Sequence, residues 1–150
     1  MVENTGNAGQ PDNAYQPSDT DKQLVSAHLG NAALYDPSYK ASVTLKRDEA
    51  NKRASLISDI EYDFQLALNK GSHYMGKAVI NFYLGKEPMH GELFLNLQSV
   101  AIADLVINDK HLTGDNLFKD QRILLELPHI ALGWNTVQLR YLNQYNTNRV

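Results

Sequence analysis

Every second residue between Ile60 and Leu68 is apolar: Ile60, Tyr62, Phe64, Leu66 and Leu68 alternate with Glu61, Asp63, Gln65 and Ala67. Side chains along a strand point to opposite faces in turn, so this run predicts a β-strand with one buried and one solvated face. Asn69-Lys70-Gly71-Ser72 follows as a turn, in which Gly71 can take the positive φ that tight turns use. Tyr74 to Leu84 returns as a second strand with Ala78, Ile80, Phe82 and Leu84 on one face, and the pair predicts a hairpin.

Downstream, the same two-residue rhythm recurs between breaks. Gly85 to Gly91, with Pro88, interrupts it, and Leu93, Leu95 and Leu97 resume it. Leu105-Val106-Ile107 runs into an Asn108-Asp109 turn, and Gly114 and Asp115 loosen the next stretch. Ile123, Leu125 and Leu127 alternate before Pro128, and Val137, Leu139 and Tyr141 alternate after Gly133. About six short strands divided by turns, with no βα alternation, predict an antiparallel sheet or sandwich.

Upstream the period is different. Leu45 to Ser55 is charged and rich in helix formers, and predicts a short surface helix that Thr44 could cap. Leu24, Val25, Ala27 and Leu29 suggest one helical turn or a docking segment, and Tyr35 to Tyr39, with Pro37, a turn or linker. Met1 to Asp21 is polar with almost nothing apolar, too little surface to offset the entropy of ordering. The expected fold is therefore mainly β: an antiparallel β-sandwich or saddle-like sheet domain with one short N-terminal helix and a disordered N-terminal tail. Residues 1–22 form the flexible tail, 23–44 a docking or linker segment, and 45–150 the β domain.

Composition narrows the function classes. The 150 residues carry a formal charge of −3 and lack cysteine, which removes disulfide scaffolds, thiolate metal sites and cysteine nucleophiles. Lys and Arg do not cluster as nucleic acid or an anionic membrane would require. No apolar run approaches the roughly 20 residues of a membrane helix, and Met1 to Gln10 is not a charged-then-apolar signal peptide. A cytoplasmic protein is the expectation.

The residues that carry chemistry are scattered. His28, His73, His90, His111 and His129 include no pair three to five residues apart, so no helix face offers a zinc pair. His73, beside Ser72, and His129, after Pro128, read as surface or edge histidines, and Asp109 with His111 as exposed turn residues. Asp59, Glu61 and Asp63 alternate as a solvent face rather than a cation loop. Tyr62, Phe64, Tyr74 and Phe82 read as core aromatics rather than a ligand-stacking platform. There is neither a phosphate loop nor a Gly-x-Ser-x-Gly elbow. No residue is assigned a catalytic, cofactor-binding or metal-ligating role, and no cofactor is expected.

Several of these runs together resemble the first domain of the M1 family of zinc aminopeptidases. They are Leu45-Lys46-Arg47-Asp48-Glu49-Ala50 with Arg53-Ala54, Ile57 to Leu68, Tyr74-Met75-Gly76, and Ile80-Asn81-Phe82. Leu93 to Leu97, Val106-Ile107-Asn108 and Gly133-Trp134-Asn135-Thr136-Val137 follow in order. Lys46 stands where relatives often have Thr. The family's His-Glu-x-x-His helix and its Gly-x-Met-Glu-Asn loop find no match in this sequence, so the resemblance implies the front-domain fold without catalysis. It also implies that this front domain stops before the family's remaining strands, leaving a sheet edge or an apolar face uncovered.

The functional expectation is a non-catalytic structural or protein-interaction module within a larger assembly, cytoskeletal or otherwise. It would contact other proteins through an exposed sheet edge and the 1–44 segment, whose Glu3, Asp12, Asp19 and Asp21 could meet a basic surface. The alternative is an N-terminal fragment of an active aminopeptidase that braces the catalytic domain. A ligand-binding β module ranks last, since no polar cluster converges on an aromatic floor.

Overall fold

The structure, a computed structural model, describes residues 14–41, 44–114 and 116–145. Helix α1 (Asp19–His28) and strand β1 (Leu34–Tyr35) come first, then helix α2 (Arg47–Leu56). Strands β2 (Ile57–Ala67), β3 (His73–Leu84), β4 (Phe94–Asn96) and β5 (Ala101–Ile107) follow, then β6 (Lys110–His111), β7 (Phe118–Lys119), β8 (Arg122–Leu124) and β9 (Gly133–Gln144). The wide sheet has the order β1-β5-β9-β3-β2, with β6 paired to β5; the narrow one has the order β4-β8-β7. All pairings are antiparallel. The chain is therefore mainly β, with the two sheets stacked as a sandwich.

The core lies between the sheets. Ile80, Phe82 and Leu84 of β3, Leu105 and Ile107 of β5, and Val137 and Leu139 of β9 face Phe118, Ile123 and Leu125. Two bulges keep this face apolar across changes of parity. Ser58 pairs with Tyr83 and Glu61 with Asn81, so Asp59 and Ile60 together oppose Phe82 alone. The extra residue lets odd-numbered Ile57 and even-numbered Tyr62 share a face. The ladder of β5 and β9 shifts likewise between Ala103 and Val106. An aspartate takes the left-handed conformation at each bulge, Asp59 at φ 52° and Asp104 at φ 53°, a region that Asp tolerates better than most residues.

The hairpin of β2 and β3 forms as the alternation predicts, but its turn works differently. The Gly71 N–H donates to Asn69 Oδ1 at 2.8 Å, so an asparagine side chain shapes the bend. Helix α2 matches the predicted surface helix. It starts at Lys46 rather than Thr44, and the Lys46 N–H donates to Glu49 Oε2 at 3.1 Å.

Residues 14–22, expected in the flexible tail, are instead built into the fold; the rest of that expectation, 1–13, lies outside the described residues. Ser18 caps α1 through Oγ, which accepts from the Asp21 N–H at 3.1 Å. Val25, Leu29 and Tyr39 pack with Val100, Ala101, Ala103 and Leu142 on the face of the wide sheet that turns away from the narrow one. The docking segment thus docks on its own sheet.

Asn108 and Asn135 tie β9 to the loops before it. Asn135, 1% exposed, accepts from Asn108 Nδ2 at 2.7 Å and from the Ala131 N–H at 2.9 Å, and donates to the Ala131 and Gly133 carbonyls. Asn108 Oδ1 accepts from the Thr136 N–H at 2.9 Å. An Asn135→Leu substitution keeps the volume but orphans these buried groups. Urea unfolding should show a loss of about 3 kcal/mol; a loss below about 1 kcal/mol would mean that water replaces the network.

Candidate functional site

The sandwich is open along one side. Strand β2 is the last in the wide sheet, and the narrow sheet ends at β4 without reaching over it. Ile60, Tyr62, Phe64 and Leu66 therefore stand 44–54% exposed, and Leu68, just past the strand, 67%. The expectation of a buried face on this strand is corrected: the alternation is real, but nothing among the described residues covers it. Tyr62 and Phe64, expected in the core, stack on each other in the open, with ring centroids 5.6 Å apart and planes 10° from parallel. Phe82 is buried as expected, and Tyr74 is half-buried against Tyr141 and Tyr145.

Between β2 and β4 runs a groove of about 390 Å³. Its floor is Ala78, Ile80, Val137 and Leu139; one wall is Ile60, Tyr62 and Phe64, and the other is Leu93, Leu95 and Leu97. Helix α2 holds the β4 side in place. Arg53 donates to Asn96 Oδ1 at 2.7 Å and lies 5.1 Å from the centre of the Phe94 ring. Arg122 lies 4.0 Å from the same centre and grips both carboxylate oxygens of Glu49, at 3.0 and 2.9 Å. The bonds from Arg122 and from the Lys46 N–H hold the Glu49 carboxyl down at about 2. Lined by apolar side chains, with its cations already engaged, the groove suits an apolar occupant rather than a charged small molecule.

The other face of β2 is acidic. Glu61 and Asp63 point away from the groove, Asp59 sits in the bulge, and all three are exposed, as the sequence reading expected. None forms an ion pair among the described residues. Lys77 pairs in register with Gln65, two positions along the ladder from Asp63.

A polar cluster lies where β3 begins and β9 ends. Asp21, fully buried, accepts from the Tyr15 hydroxyl, the Ser18 N–H at 3.0 Å, His73 Nε2 at 2.6 Å and Gln144 Nε2 at 3.2 Å. Burial alone would raise this carboxyl, but the four donors outweigh it and hold it at about 2. Burial, the bond to Asp21 and the charge of Asp21 push the Tyr15 hydroxyl up. A carboxylate only accepts, so His73 donates to Asp21 from Nε2, and its Nδ1 is hydrogen-bonded to Ser72 Oγ at 2.7 Å. His73, read as a surface or edge histidine, is 7% exposed.

Ser72, His73 and Asp21 stand in the order of a nucleophile, base and orienting acid. The nearby turn amides are taken, however: Gly71 N–H by Asn69 Oδ1 and Asn69 N–H by Tyr145 Oη at 3.1 Å. The cluster clamps α1 to the first residue of β3 and the last of β9. Sequence spacing gave no hint of it, because its members come from residues 15, 18, 21, 72, 73 and 144.

The remaining histidines do not converge. His28 ends α1, and His90 Nδ1 lies 2.6 Å from Glu126 Oε1 at the surface. His111 is exposed on β6, and His129 is half-buried. Among the described residues no three His, Asp or Glu side chains are grouped to hold a metal ion, and no helix is long and apolar enough to cross a membrane. No protein-family model, curated protein or solved structure matches the chain.

Proposed function

We propose that this chain is a non-catalytic protein-interaction module of the aminopeptidase front-domain kind, which takes its place in a cytoplasmic assembly by burying the open side of its sandwich. One observation carries this reading: four alternate apolar positions of strand β2, Ile60, Tyr62, Phe64 and Leu66, are 44–54% exposed, and the first three line an apolar groove. Monomeric soluble proteins rarely leave so continuous an apolar surface in water, and such surfaces mark interfaces. The 14–41 segment braces the module itself, since it packs on the wide sheet.

A photo-crosslinking residue at position 64, with position 110 on exposed β6 as control, tests the reading in native extract. Position 64 should yield a discrete adduct with a specific protein and position 110 should not. Equal labelling from both positions would overturn it, as would zinc-dependent release of amino-terminal residues by the purified chain. An adduct with a polypeptide that bears a His-Glu-x-x-His helix would instead favour the bracing role in an active aminopeptidase.

A further inference from the structure

Resting on the interaction reading, we infer that the free edge of β2 receives an added strand from a partner protein, and that the partner's residues alternate apolar and basic. The backbone supplies the template. Strand β2 runs for 11 residues at the end of its sheet, so the N–H and C=O groups turned away from β3 have no ladder partner among the described residues. Natural sheets guard such edges with lysine, proline or inward-pointing charge. This strand has no Lys or Pro, and its charges point away from the groove. An added strand gains main-chain hydrogen bonds, and side chains at alternate positions confer selectivity.

The two faces of β2 specify those side chains. Residues placed beside Ile60, Tyr62, Phe64 and Leu66 lie over the groove mouth, where apolar groups cover the exposed rings. Residues placed beside Glu61 and Asp63 meet carboxylates that form no ion pair among the described residues, where Lys or Arg is favoured and acid repelled. The same charges argue against a second copy of this chain. In the antiparallel register centred on Tyr62, Glu61 of each copy would face Asp63 of the other, and like charges directly opposite destabilise a pair.

Three fluorescent peptides of about ten residues, a typical strand length or slightly more, test the inference against the purified chain by anisotropy. One alternates Val with Lys, one alternates Val with Glu, and one has the Val/Lys composition in blocks. The alternating Val/Lys peptide should bind about ten-fold tighter than either control. Methylating its β2-facing amide nitrogens should abolish binding. The double variant Glu61→Lys and Asp63→Lys, which should keep the parent circular dichroism because both sites are exposed, should reverse the preference between Lys and Glu peptides. Failure of the alternating Val/Lys peptide to bind, equal affinity for all three, or indifference to amide methylation would overturn the inference. So would a β2-mediated dimer of the chain in sedimentation. If the peptides fail while position 64 still crosslinks one specific protein, strand addition is wrong and the interaction module stands; if both fail, both readings fall.

Discussion

An Asp21→Ala variant should lose about 3 kcal/mol of stability or more, because a buried donor left without its acceptor costs about 1–3 kcal/mol and several donors share this one. The loss follows from the number of groups that converge on this one carboxylate. Tyr15 Oη, Ser18 N–H, His73 Nε2 and Gln144 Nε2 all donate to it, and His73 is buried with it. Alanine leaves those donors facing one another without an acceptor, and buried orphans are costly. Since the cluster joins α1 to the end of the wide sheet, the damage should begin there. Hydrogen exchange should show the α1 amides losing protection before those of β3 and β9. Chemical unfolding followed by circular dichroism gives the total, and a change below about 1 kcal/mol would show that the clamp is dispensable.

The same cluster sets a pH dependence. The Asp21 carboxyl is lowered from its usual 3.8 to about 2 in the fold. A depressed carboxylate contributes stability that is fully present above its unfolded pKa and lost as pH falls through the folded value. Stability should therefore decline between about pH 4 and pH 2. Glu49, also held at about 2, acts in the same direction, so the informative quantity is the difference between parent and Asp21→Ala. That difference should shrink as pH falls from about 4 toward 2.

Strand pairing was legible in the sequence because it depends on local rhythm. The alternation from Ile60 and from Tyr74 is enough to place the hairpin, whereas the bulge at Asp59 shows only in the register of the paired strands. Exposure was not legible, because it depends on where a strand stands in its sheet. The same alternation in β3 is buried and in β2 is open, and only the order β9-β3-β2 separates them. Tyr62 and Phe64 were therefore visible as residues but assigned to the core. The resemblance implied an uncovered face or edge without saying which strand would carry it. Asp21 was hidden for a different reason. It lies in a polar stretch, and its partners His73 and Gln144 are 52 and 123 residues away. Polar composition measures missing apolar surface, while here a buried carboxylate with four donors joins the packing of Tyr15 on Tyr39 in ordering the segment.

Phenylalanines on neighbouring strands should differ sharply in their worth. Phe82→Ala should cost about 3–5 kcal/mol, because the ring is 2% exposed within the inter-sheet core and its removal leaves a cavity there. Phe64→Ala should cost less than about 1 kcal/mol, because its ring is 54% exposed and gives up only its stacking on Tyr62 and part of the groove wall. Both changes delete the same atoms from adjacent strands of one sheet, so the contrast isolates burial from residue type. Urea unfolding of the two variants, with Tyr62→Ala as a third, measures it directly. The order should be Phe82→Ala far below Tyr62→Ala and Phe64→Ala, which stay near the parent. A partner bound at β2 should erase the gap, since covering Phe64 gives it contacts of the kind Phe82 already has. If the free chain instead loses as much from Phe64→Ala as from Phe82→Ala, the β2 face is covered in solution by the chain itself, and it is not the surface through which another protein binds.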